Sequence, residues 1–152
     1  MRDIPKGLLA GFVATVVLSL LMVLKTMMGL MPQLDLPKML ADMMGSPDMP
    51  VLGWIAHFAI GIVGYGIAIA VLDSKLPGTN RVGHGVTLGV IGWLIMMVVL
   101  MPMAGAGLFG RNMGVMATLM TLVLHIIFGA VLGWVYGRSA ASQDVSISPA
   151  RA

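Results

Sequence analysis

Four stretches of this chain are each about 20 residues long and almost free of charge: Gly7 to Leu24, Val51 to Leu72, Gly85 to Met101, and about Val115 to Tyr136. A helix needs roughly that length to cross about 30 Å of hydrocarbon. In lipid a spanning segment must satisfy its own backbone polar groups, which leaves helices and closed barrels. The strands of a barrel alternate polar and apolar residues, and these runs do not. The expectation is an all-α membrane protein with four transmembrane helices in residues 1–138 and the lipid bilayer as its surroundings. Composition agrees, since 59% of the residues are hydrophobic and only 10% are charged, where a soluble domain carries about a quarter.

The segment "MRDIPKGLLAGFVATVVLSLLMVLK" starts like an export signal, but its apolar run is long and no A-x-A-like site follows. It reads as an uncleaved first span. The absence of cysteine excludes disulfides and thiolate metal sites. The net charge of +3 does not point to nucleic acid, because the basic residues spread over all the loops and make no basic face. Arg2, Lys6, Lys75, Arg81, Arg138 and Arg151 fall on the side of both termini, and Lys25, Lys38 and Arg111 on the other. That excess predicts both termini in the cytoplasm. The small, polar tail from 139 to 152 is expected to be disordered.

The two halves repeat. Gly7 and Gly11 open the first span as Gly85 and Gly89 open the third, and His57 and Gly61 recur as His125 and Gly129. This predicts two tandem helical hairpins entering the membrane the same way, a parallel repeat with the two histidines at similar depth. The first half has a longer linker, "LDLPKMLADMMGSPDMP". There Asp35 is placed to cap a short helix, Pro37 lies in its first turn and Gly45 closes it. That helix, near 36–44, is expected to lie in the membrane interface on its apolar face. The counterpart "MPMAGAGLFGRNMGVM" reads as a partly re-entrant loop or a broken end of the third span.

Glycines at four-residue spacing let helices approach closely in lipid. Gly7, Gly11, Gly85, Gly89, Gly133 and Gly137 form such strips, as does Gly129. They predict a tight bundle or the seam of a homo-oligomer. Histidines inside a span mark a candidate site. His57 and His125, each with a glycine one turn on (Gly61, Gly129), have the pattern of two axial ligands to a haem b. The bland reading is a neutral ring bonded to a carbonyl. Eleven of the 16 methionines lie in or beside the two loops on the side away from the termini. Among them Met101 and Met103 are closely spaced thioether candidates for copper, although methionine also fills irregular interfaces. Tyr65, Trp134 and Tyr136 read as interfacial anchors, and His84 as a solvated residue at a helix entry.

Enzymatic and transport readings have less to stand on. Every acid lies outside the spans or at their ends and there is no glutamate, so no buried carboxylate is available for proton coupling. The in-span hydroxyls Thr15, Ser19, Thr118 and Thr121 can bond back to their own helices. The stretches "GLLAGFVATVVLSLLMVLK", "MPMAGAGLFG" and "LVLHIIFGAVLGWVYG" resemble an uncharacterised family of small bacterial inner-membrane proteins, classed as a domain of unknown function, over about residues 5 to 138. The resemblance implies a multi-pass bacterial inner-membrane protein and brings no activity with it. The leading expectation is a non-enzymatic membrane protein acting by helix packing, as a dimer or as an accessory subunit of a larger complex. The alternatives are haem b or copper on His57 and His125, and quinone or lipid binding between the hairpins.

Overall fold

A computed structural model describes residues 3–144. Four helices in it are long and apolar enough to cross a membrane: Ile4–Met27, Pro50–Lys75, Arg81–Met103 and Val115–Ser139, here the first to fourth spans. Each runs a few residues past the apolar stretch that predicts it, because the start signals lie just outside. Pro5 stands in the first turn of the first span and Pro50 opens the second, where a missing N–H costs nothing. Asn80 caps the third, its Oδ1 accepting from Gly83 N at 2.9 Å. The helix of the fourth span continues to Asp144, so residues 139–144, expected in a disordered tail, are helical. The rest of that tail lies outside the described residues, as do Arg2 and Arg151 of the charge count.

The linker helix forms over Leu36–Met43. Asp35 Oδ1 accepts from Lys38 N at 3.0 Å, Pro37 is in the first turn and Gly45 takes a positive φ of 71°, as the sequence reading has it. Its buried residues, Pro37, Leu40 and Ala41, pack against the second span. Gly53 is what allows this, since a Cβ there would collide with the Pro37 carbonyl. This part of the helix's apolar side is thus covered by protein, while Leu36, Met39 and Met43 stay partly exposed.

The spans do not contact one another equally. The third and fourth pack along most of their length, the first packs on both the second and the fourth, and the second barely touches the third. Glycines set the close seams. A Cβ on Gly85 would strike the backbone of Gly129 and Gly133, and one on Gly89 the His125 carbonyl. Gly7 and Gly11 meet Gly66 and Gly61 in the same manner, Gly133 meets the Arg81 backbone, and Gly137 lies against the Arg81 side chain. All the strips named from sequence are therefore taken up inside the chain.

Two spans contain a wide, π-helical turn, Ile60–Tyr65 in the second and Met96–Leu100 in the third. Such turns insert a residue into the helix and re-aim the side chains around it. Both border the gap between these spans. The third span ends at Met103, one residue after Pro102, and the following Leu108–Met113 segment folds back so that Phe109 meets Trp93 edge-on at 6.0 Å.

Candidate functional site

The gap between the second and third spans is a cavity of about 300 Å³, within the range of small-molecule sites. Its floor is the first and fourth spans, through Thr15, Leu18, His125 and Phe128, and Leu36 and Leu40 of the linker helix close one end. The mouth is apolar. Ile60, Ile91 and Ile95 line it and are also 44%, 40% and 56% exposed, so it opens sideways, at the level of the spans.

Four polar side chains line this greasy chamber: Thr15, His57, Tyr65 and His125. At a rise of 1.5 Å per residue, His57 lies about 10 Å along its span from Pro50 and His125 about 15 Å from Val115. The two rings are held differently. His57 is buried, shares a hydrogen bond of 3.2 Å between Nε2 and Ser19 Oγ, and has Trp54 and Phe58 edge-on at 5.8 Å each. His125 donates from Nδ1 to the Thr121 carbonyl one turn back, at 2.8 Å. Its Nε2 has no protein partner among the described residues and is not fully buried, and the residue lines the cavity.

Tyr65 was expected to anchor the chain at the interface and instead crosses the gap. Its ring meets Phe128 edge-on at 4.8 Å, and its hydroxyl stands where a side chain on Gly92 would be. The wide turn explains the difference, because it rotates Tyr65 inward, and no periodicity in the sequence announces such a turn. Trp134 is half exposed under the Arg138 guanidinium at 4.5 Å, while Tyr136 is buried with Arg81 over its ring at 5.4 Å.

Gly61 and Gly129, placed beside the histidines as room for a macrocycle, face other helices. A Cβ on Gly61 would strike Thr15 Oγ1 and one on Gly129 the Gly85 carbonyl. Met101 is buried with Leu34, Met96 and Met97, whereas Met103 is 69% exposed, so their sulfurs occupy separate surroundings. Among the described residues no group of three or more His, Cys, Asp or Glu side chains converges as a metal site. Thr15 and Thr121 do bond back to their own helices, to Gly11 O at 2.7 Å and Ala117 O at 2.9 Å, but Ser19 bonds His57 and Thr118 bonds the Phe109 carbonyl. His84 is not simply solvated, since Nδ1 lies 2.9 Å from Asp73 Oδ1 and Nε2 3.2 Å from the Gly78 carbonyl.

Sequence reasoning also missed Lys25. It is 7% exposed, and its Nζ donates to the carbonyls of Met31 and Leu34 at 3.0 and 2.6 Å, tying the first loop under the bundle. Only the loop's need for carbonyl partners could have signalled this. No curated protein and no solved structure matches the chain. A match over residues 1–147 carries the assignment of the whole four-span bundle: the chain belongs to a family described as "Family of unknown function (DUF6789)".

Proposed function

We propose that this chain is a non-enzymatic bacterial inner-membrane protein that takes an apolar small molecule from the bilayer into the gap between its second and third spans. The observation carrying this is the sideways mouth of isoleucines leading to a chamber with His125 and Tyr65 at its wall. A ligand of the quinone or lipid class suits such a site, with its ring or head inside and its tail left among the acyl chains. The packing reading, dimer or accessory subunit, loses its main support because the glycine strips are occupied within the chain. The haem reading keeps one favourable observation, both histidines on one cavity, although Ser19 engages His57 Nε2.

A duplicated hairpin accounts for the seams. In each half the opening glycines lie against the next span, Gly11 on Gly61 and Gly85 on Gly129, offset by one turn between the halves. The wide turns, on the second span of one half and the first span of the other, break the symmetry further.

The test is to purify the chain in discs of its native membrane, extract it and analyse the small molecules by mass spectrometry. One apolar species should be enriched over bulk lipid and lost in Gly64→Phe. Gly64 lines the cavity and a Cβ added there meets nothing within 4 Å, so this substitution sets a ring at the chamber wall. Identical extracts from the two proteins would sink the reading. A Soret band that disappears in both His57→Ala and His125→Ala would replace it with haem.

A further inference from the structure

We infer that the cavity selects a ligand with a hydroxyl to donate, the reduced quinol or phenol type of head over its oxidised or etherified counterpart; this rests on the ligand-binding reading above. The argument starts at the Thr121 carbonyl. A carbonyl oxygen only accepts, so the 2.8 Å contact puts the proton of a neutral His125 ring on Nδ1. Nε2 is then a bare acceptor, and nothing among the described residues donates to it.

The neighbouring hydroxyls do not change this. Ser19 is engaged with His57, and Thr15 and Thr121 donate to their own helix carbonyls. Tyr65, the remaining polar group on the wall, has its hydroxyl turned to Gly92 across the mouth. The chamber therefore holds, at His125, an acceptor whose tautomer the backbone fixes. An O–H brought to it regains a hydrogen bond that lipid does not offer, whereas a carbonyl or ether oxygen meets a lone pair. The wide turns border the same gap on the second and third spans.

The experiment measures binding of 2-naphthol and 2-methoxynaphthalene, equal in ring and different by one O–H, to the full chain in lipid nanodiscs, with empty nanodiscs subtracted for partition. Naphthol should bind about tenfold more tightly than the ether, the size of one net hydrogen bond. The ratio should fall to about one in His125→Phe and recover in part in His125→Gln, which keeps an acceptor. A ratio near one in the unmodified chain overturns the inference whatever the variants do, and so does a preference surviving in His125→Phe. If both probes bind equally, the cavity reading stands and only the hydroxyl selectivity fails; if neither binds above the empty discs, both fall.

Discussion

At Lys25 the ammonium donates to the carbonyls of Met31 and Leu34 where the chain leaves the first span; the Met31 carbonyl also accepts from Leu34 N, and the Leu34 carbonyl has Lys25 as its partner. Lys25→Met keeps the length and removes the donor. It should lower stability by about 1–3 kcal/mol, the cost of stranding one buried acceptor, the Leu34 carbonyl, seen as an earlier thermal transition in detergent and faster proteolysis between residues 28 and 35. No change in either would show that water serves the Leu34 carbonyl equally well. His57 and His125 were legible as candidates because an imidazole stands out in so apolar a run. Their unequal roles were not, because these depend on Ser19, 38 positions away, and on which ring nitrogen the Thr121 carbonyl engages.

Among the elements, the linker helix has the clearest reading from sequence. Asp35, Pro37 and Gly45 are local signals, and local signals suffice for a capped helix of this length. What covers its apolar side was not local. It rests on Gly53, a glycine 16 positions on, and it lends Leu36 and Leu40 to the cavity. Gly53→Ala should therefore push the helix off the second span. The chain has no native cysteine, so Leu40→Cys gives a single buried thiol whose maleimide labelling should speed up several-fold when Gly53→Ala is added. An unchanged rate would mean that the helix is held from elsewhere. The wide turns are the elements that sequence hid most completely, because a π-helical turn keeps the composition of the α-helix around it.

For the molecule, span number and approximate ends follow from apolar length alone, which is why four runs of about 20 residues were enough to give the fold class. The order of spans around the bundle was not available that way. It depends on which glycine faces which backbone, and every span carries glycine. An even number of spans places both ends of the chain on one side, and the Lys and Arg distribution argues for the cytoplasmic one. Reporters active only in the cytoplasm should be active when fused to either end and silent when inserted near Ser46 or Asn112. Activity at one end alone would break the four-span topology, and silence at both with activity in the loops would invert it.

Gly85, Gly89 and Gly129 press main chain against main chain, so the third and fourth spans behave as a rigid post. The first and second spans are joined in the same way through Gly7, Gly11, Gly61 and Gly66, and the linker helix and Tyr65 add further contacts to the second. A guest entering between the second and third spans would need only these two pairs to part, with every glycine seam inside each pair left intact.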